Sequence, residues 1–341
     1  MNTVGASASG PLDIAIVGAG PCGLAVAVAA HRAGLSSVMF DRGCLVSSIA
    51  SYPMYMTFFS TAEKIAIGDV PFSLAAEKPT RRDALAYYRM VVRHFGLAVR
   101  QYEHVDTIAR TGTGFVIGTR TTDGRTHEMH AAAVVIATGY FGTPNALGVP
   151  GEGLPHVTHL YREGHEAFDR DAVVVGGGNS AVEAALDLWR AGARVTIVHV
   201  GPSFDRNIKP WVLPDALNRL KDGSIAARWS ARVARIEPGR VVIERDGVSE
   251  IIPACHVYLM TGFRPSSELL RQLAVPVDEE TGIPAHDRTT METPVPGVFI
   301  AGVLASGYDA NKIFIENGRQ HGEMIVRHLA RQIGVGASTA P

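Results

Sequence analysis

Two glycine-rich turns of the form G-x-G-x-x-G/A, each placed directly after an apolar strand-like run, predict an α/β chain with two Rossmann-like dinucleotide-binding domains. The turns read GAGPCG at Gly18 to Gly23 and GGGNSA at Gly176 to Ala181. In each, the first glycine permits the tight turn, the second lets a pyrophosphate approach the backbone, and the third position packs helix on strand. The phosphates then rest at a helix N-terminus. A second observation is a repeat: each turn leads into a helix, a stop glycine and a strand. A third is length, since 341 residues accommodate two domains of roughly 150 residues each.

The elements come in order along the chain. Residues 12–17 (LDIAIV) form an apolar β run, 24–33 an Ala/Val helix stopped by Gly34, and 37–40 a second strand closed by Asp41. Residues 81–95 have helical spacing. Short strands near 97–102, 107–110, 114–119 and 126–130 suggest an antiparallel meander, and 133–137 a strand running into Thr138-Gly139. The second unit opens with a strand at 173–175, a helix at 180–191, the stop Gly192 and a strand at 194–200. Short β segments at 231–236 and 240–245 and a closing strand at 257–260 complete it. Residues 297–301 form a last strand, and 311–332 a helix that returns to the first domain. The expectation is a discontinuous first domain, residues 11–148 and 266–333, with the second, 149–265, inserted into it. Residues 1–10 and 334–341, rich in Ser, Ala, Thr and Gly, are expected to be flexible tails.

Composition bounds the partners. Hydrophobic residues at 46% against 19% charged are ample for buried cores, and a net charge of -1 leaves no basic footprint for nucleic acid or an anionic membrane surface. No apolar run reaches the ~18 residues that cross a bilayer, and residues 1–10 lack the basic and apolar regions of a signal peptide. Three cysteines, Cys22, Cys44 and Cys255, form neither a disulfide framework nor a C-x-x-C pair, so a reducing, cytoplasmic compartment is expected. The 13 histidines show no metal-ligand spacing with Cys or carboxylates, so no metal is expected.

Two dinucleotides on one chain point to electron transfer between a flavin and a nicotinamide. At the first turn (Gly18, Gly20, Pro21, Cys22, Gly23), Asp41 lies 18 residues after Gly23 at a strand end, where a carboxylate accepts hydrogen bonds from ribose hydroxyls; this favours the adenosine half of FAD. The alternative is a solvated strand-end acid. Thr138, Gly139 and Gly302 supply further close backbone approaches. At the second turn (Gly176, Gly178, Asn179, Ser180, Ala181), the strand ends in Val198-His199-Val200-Gly201 with no carboxylate, which tilts the choice toward NADPH. Arg206 and Lys209 either add positive charge there or are ordinary surface cations. Lys312 and Ile313 are expected to open the last helix, with backbone amides facing a flavin.

Cys22 sits in the phosphate-binding loop at the start of a helix, where the dipole favours thiolate. It is either a nucleophile or simply the small residue that a packed turn requires. Cys44 and Cys255 are expected to be packing thiols. His159, Tyr161 and His165 could face the nicotinamide or guide substrate, with a plain loop or helix role as the alternative.

These features in this order resemble the small two-dinucleotide flavoprotein reductases related to low-molecular-weight thioredoxin reductase. The resemblance covers nearly all of residues 11–331. Within that group, GAGPCG, SYPMYMTFFSTAEKIAIG from Ser51, VTHLYREGHEAF from Val157, VVVGGGNSAVEAALDL from Val173, IKPWVLP from Ile208 and NKIFIENGRQHG from Asn311 look most like the YpdA-type bacillithiol disulfide reductases. That resemblance implies FAD, NADPH, reduction of a low-molecular-weight disulfide in the cytoplasm, and a homodimer or homotetramer. It also implies that Cys22 is redox-active and that His321 lies near the flavin or a partner subunit, as a candidate proton donor to a leaving thiolate. The departures are informative. Residues 158–162 read THLYR where thioredoxin reductases carry C-x-x-C, which excludes thioredoxin reduction by such a dithiol. Ala301-Gly302-Val303 stands where Ala-Gly-Asp is usual, and Val200 stands where an arginine would select NADPH. A ferredoxin- or flavodoxin-NADP-type reductase without a catalytic thiol remains the alternative. A flavin monooxygenase is disfavoured by the absence of an F-x-G-x-x-x-H signature, and a non-enzymatic redox sensor by the intact second turn.

Overall fold

The computed structural model describes residues 11–333; both expected tails lie outside the described residues. Contacts divide the chain into two compact units. One runs up to Ala50 and continues through Met56–Thr143 and from Arg264 onward; the other comprises Ser51–Tyr55 and Pro144–Phe263.

In the first unit, strand Leu12–Val17 lies between two parallel neighbours, Ser37–Asp41 and Thr126–Ile136, and Val99–Gln101 extends the sheet beyond Ser37–Asp41. The long strand Thr126–Ile136 serves two partners. Its first half pairs antiparallel with Gly114–Thr121, which pairs in turn with Glu103–Thr111, while its last residues pair parallel with Val298–Ile300. It is one element, where the sequence pattern suggested two. Its start is largely exposed and its end is wholly buried, so a single strand shows two hydrophobic patterns.

The first helix spans Pro21–Arg32, three residues earlier than the apolar spacing suggests. Proline is pre-organised for the first helical turn, so Cys22 and Gly23 are drawn into that turn. Leu24, Val26 and Val28 are buried against the sheet, each stabilising the fold by about 1.5–3 kcal/mol. Helix His321–Ile333 packs on it so closely that a Cβ on Gly322 would fall 2.5 Å from the Ala25 carbonyl oxygen. The expected continuous helix 311–332 is instead divided into Ile315–Gly318 and His321–Ile333. Helix Arg81–Phe95 is held at its start by the Thr80–Asp83 capping box and ends at Gly96 in the left-handed conformation.

In the second unit, five parallel strands run in the order Ile225–Arg228, Arg194–Val198, Asp171–Val175, His256–Leu259, Val157–Thr158. Helix Asn179–Arg190 follows Asp171–Val175, and its Val182, Leu186 and Leu188 join Val174, Val195 and Ile197 in one core. Helix Leu213–Lys221 and the edge strand Ile225–Arg228 were not anticipated; strand Val248–Pro253 completes a separate antiparallel sheet with Arg232–Glu237 and Arg240–Arg245. Among the described residues, no helix is long and apolar enough to cross a membrane.

Candidate functional site

Both glycine turns are built alike. Gly18 N–H donates to the Phe40 carbonyl at 2.7 Å and Gly176 N–H to the Val198 carbonyl at 3.0 Å, which joins each turn to its neighbouring strand. Gly18 and Gly176 have φ of 110° and 139°, values that L side chains rarely adopt. A Cβ on Gly18 would also fall 2.3 Å from the Ala137 carbonyl oxygen, and one on Gly176 2.4 Å from that of Met260. The third position of the first turn is tighter still, a Cβ on Gly23 falling 2.0 Å from the Gly18 carbonyl oxygen, whereas the second turn accommodates the Cβ of Ala181.

The first turn fits a dinucleotide on two further counts. A Cβ on Gly20 would meet no atom within 4 Å, and the helix it opens has no side-chain cap, so its first amides are available to phosphate. Beside it, Thr138 Oγ1 is buried without a hydrogen-bond partner among the described residues, which marks a polar contact for a ligand. Asp41 ends its strand as expected, but its carboxylate also organises the loop. It accepts from Ala19 N–H at 2.9 Å, Gly43 N–H at 2.8 Å and the Ser47 hydroxyl at 3.0 Å. Of about four lone-pair sites on a carboxylate, one remains for a ribose hydroxyl.

Cys22, Gly302 and His321 come together. A Cβ on Gly302 would lie 2.9 Å from Cys22 Sγ, and one on Gly318 3.0 Å from it, so the thiol is wedged between two glycines. Cys22 keeps some accessible surface, yet burial pushes its thiol up to about 12. The expectation of a helix-stabilised thiolate is therefore corrected: desolvation of the charged form outweighs the partial charge of the helix end. Gly302 N–H donates to His321 Nδ1 at 3.1 Å. Burial, with a smaller contribution from the neighbouring His286, lowers the His321 pKa to about 4. The ring is thus neutral, with its proton on Nε2, and the imidazolium that would make it a strong acid is disfavoured.

Lys312 and Ile313 do not open a helix, which corrects that expectation. Asn317 turns the segment back on itself, its Nδ2 donating to the Lys312 carbonyl at 3.0 Å while its Oδ1 accepts from Phe314 N–H at 2.8 Å. The Lys312 ammonium is exposed beside Asp309 at 3.4 Å.

At the second turn, Asn179 ties the following loop to the helix start, donating to the Asn207 carbonyl at 2.8 Å and accepting from Lys209 N–H at 2.8 Å. Ser180 and Arg206 are exposed. Lys209 is not a free cation, because its Nζ pairs with Glu183 at 2.8 Å. His199 packs flat against the turn: a Cβ on Gly177 would fall 2.4 Å from its Nε2. Sequence reasoning missed Asp205, whose carboxylate lies 3.5 Å from that same Nε2. It occupies an irregular loop, where no periodicity singles it out.

The segment that replaces the dithiol is mostly structural. Tyr161 is buried and its hydroxyl donates to Asp187, so that burial first and that carboxylate second raise its pKa. His159 pairs with Glu152 at 3.2 Å, and His165 is exposed. Cys44 is partly buried, whereas Cys255 is exposed, against the expectation of a packed thiol. Cys255 lies next to the fully buried Ala254 in the two-residue connection between strands Val248–Pro253 and His256–Leu259. Among the described residues no group of His, Cys, Asp or Glu could hold a metal ion.

A family model described as pyridine nucleotide-disulphide oxidoreductase matches residues 15–302, a span that includes both turns. The chain belongs to that family. It is 44% identical over 321 residues, 93% of its length and 97% of the relative's, to the bacilliredoxin reductase Bdr of Bacillus subtilis (strain 168). The solved bacillithiol disulfide reductase Bdr (YpdA) of Bacillus cereus matches with a TM-score of 0.92 at 42% identity, covering 95% of this chain and 100% of that one. That of Staphylococcus aureus matches with a TM-score of 0.88 at 39% identity, covering 94% and 99%. The fold is accordingly thioredoxin-reductase-like with two Rossmann domains, and the chain is an NAD(P)H-dependent flavoprotein disulfide reductase whose cofactors are FAD and NADPH.

Proposed function

We propose that this protein uses NADPH to reduce bacillithiol disulfide, as a cytoplasmic homodimer or homotetramer. The observation that carries this reading is the match, at 42% and 39% identity over 95% and 94% of the chain, to two solved reductases named for that substrate. The absence of C-x-x-C among its three cysteines supports it over thioredoxin reduction. The net reaction is NADPH + H⁺ + RSSR → NADP⁺ + 2 RSH, and bound FAD supplies the two-electron relay between nicotinamide and disulfide.

The first turn, Gly18 to Gly23, would hold the FAD pyrophosphate on the amides of helix Pro21–Arg32, with Asp41 on the ribose and Thr138 and Gly139 against the ring system. Gly176, Gly178, Asn179, Ser180 and Ala181 would hold the NADPH pyrophosphate, with His199 and Arg206 near the adenosine and Arg206 as the available cation for the 2′-phosphate. Lys209, tied to Glu183, would act by holding the loop.

Cys22 is the candidate nucleophile. Attack of its sulfur, with loss of the thiol proton, would break the substrate S–S bond, form a Cys22–S–S–R mixed disulfide and release one thiolate, which takes up a proton; two electrons and a proton from NADPH, with one further proton, would then release the second thiol and restore the Cys22 thiol. Because the resting thiol is protonated, its proton must leave within the catalytic cycle. His321 Nδ1 already accepts from Gly302 N–H, so only its Nε2–H is left to donate to a departing thiolate.

The test is anaerobic NADPH oxidation by the FAD-loaded protein with bacillithiol disulfide as acceptor, with Cys22→Ala in parallel. Disulfide-dependent turnover that disappears in the variant, while flavin reduction persists, is the expected result. Flavin that is reduced normally but never passes electrons to the disulfide in the wild-type protein would overturn the substrate reading and favour a ferredoxin- or flavodoxin-type reductase. The name of the Bacillus subtilis relative adds a second acceptor to try, an oxidised bacilliredoxin. Light scattering of the purified protein reads the oligomer.

A further inference from the structure

The two glycine turns are alike in backbone but differ in what stands over them. Their matched hydrogen bonds to Phe40 and Val198 make His199 the counterpart of Asp41. In the first turn, a Cβ on the second glycine, Gly20, would meet nothing within 4 Å. In the second turn, the same construction on Gly178 meets Asp205 Oδ2 at 3.3 Å. This is the face that the second glycine leaves open so that a pyrophosphate can approach the backbone. The loop that brings the carboxylate there is docked on the turn itself, with Asp205 N–H donating to the Gly177 carbonyl at 3.0 Å. The other carboxylate oxygen lies 3.5 Å from His199 Nε2. His199 is held in turn between Gly177 and Gly201, with its ring edge-on to Trp229. The helix beyond the turn, Asn179–Arg190, has no side-chain cap and no acid of its own in the first turn, so Asp205 supplies the negative charge beside its N-terminus.

We propose that Asp205 is a resident anion at the nicotinamide-dinucleotide turn, competing with the coenzyme's phosphates for the same helix N-terminus. This rests on the reading of Gly176 to Ala181 as the NADPH site. A diphosphate entering over Gly178 brings like charge against this carboxylate, so Asp205 must swing away before the phosphates settle. The residue therefore weakens binding of NADPH and NADH alike, because both carry the same pyrophosphate. It acts on affinity rather than on the choice between the two coenzymes. A carboxylate reading the ribose would instead favour NADH and disfavour the 2′-phosphate.

The experiment is calorimetric titration of the FAD-loaded protein with NADP⁺, NAD⁺ and ADP-ribose, for wild type, Asp205→Asn and Asp246→Asn. Asp246 lies in the same unit with its side chain 83% exposed, so its substitution removes an equal charge away from the turn. Thermal melting confirms that each variant is folded. Asp205→Asn is expected to tighten all three ligands by a common factor on the order of ten-fold, while Asp246→Asn leaves them unchanged. Unchanged or weaker binding in Asp205→Asn would overturn the proposal, as would an equal gain in Asp246→Asn. A change confined to NADP⁺ would also overturn it, by assigning Asp205 to the ribose. If neither wild type nor variant binds any of the three, the NADPH assignment of this turn fails instead.

Discussion

The buried state of Cys22 sets a rate that can be measured. A thiol pushed up to about 12 is ionised to roughly one part in 10⁵ at pH 7, whereas a freely exposed cysteine of pKa about 8.5 is roughly 3% thiolate. The deficit in thiolate is thus roughly 3,000-fold. A more basic thiolate is the better nucleophile, and a Brønsted slope of ~0.45 over ~3.5 pKa units returns about forty-fold. Ionisation alone therefore leaves Cys22 on the order of 100-fold slower than an unburied thiol, and packing against Gly302 and Gly318 slows it further. The assay is iodoacetamide alkylation of the FAD-loaded protein, quenched over time and read by peptide mass spectrometry, with the exposed Cys255 as internal reference. The Cys22 rate should climb about ten-fold per pH unit from pH 7 to 9. Alkylation of Cys22 as fast as Cys255 at pH 7, or a rate that levels off below pH 9, would show a standing thiolate and refute the burial argument.

Three other outcomes rest on the same geometry. His321, lowered to about 4 by burial, is neutral when folded but protonates near pH 6.5 when unfolded. Its contribution to stability is therefore complete above about pH 6.5 and is lost as pH falls toward 4, on the order of 2 kcal/mol by pH 5. Urea midpoints at pH 7 and 5 should differ by more in wild type than in His321→Asn, and equal pH sensitivity would count against a neutral buried ring. Gly20→Ala has room in the protein and should lose the yellow flavin colour while keeping the melting temperature of flavin-free wild type, whereas Gly23→Ala, whose Cβ would sit 2.0 Å from the Gly18 carbonyl oxygen, should destabilise the fold itself; comparable melting of both would contradict this division. Arg206→Ala should raise the Kd for NADPH about ten-fold with little change for NADH, as expected for a lost 2′-phosphate partner, while Lys209→Ala should move both coenzymes by similar, small factors because its charge is already paired with Glu183. Fluorescence titration of the four combinations would expose a wrong assignment as an Arg206→Ala effect shared by both nucleotides.

By itself the sequence determined the two turns, the α/β class and the repeat of strand, helix and strand, because these depend on local chemistry: glycines that tolerate φ of 110° and 139° and apolar runs long enough to cross a core. It also determined what the chain lacks, a C-x-x-C pair and a strand-end acid at Val198-His199. Whether Cys22 is a thiolate was beyond it, because local reasoning sees the helix end that favours charge but not Gly302 and Gly318, nearly 300 residues away in the chain, which close around the sulfur. The start of the last helical segment at Ile315 rather than Asn311 turned on Asn317 reaching back to Lys312 and Phe314, a competition between side chain and backbone that spacing does not reveal. The exposure of Cys255 turned on its place in the short connection between strands Val248–Pro253 and His256–Leu259. Asp205 was hidden for the same reason: a charge in an irregular loop has no pattern until the folded chain sets it over Gly178. Turn geometry is written in neighbouring residues, whereas protonation, exposure and charge placement depend on contacts that only the tertiary structure brings together.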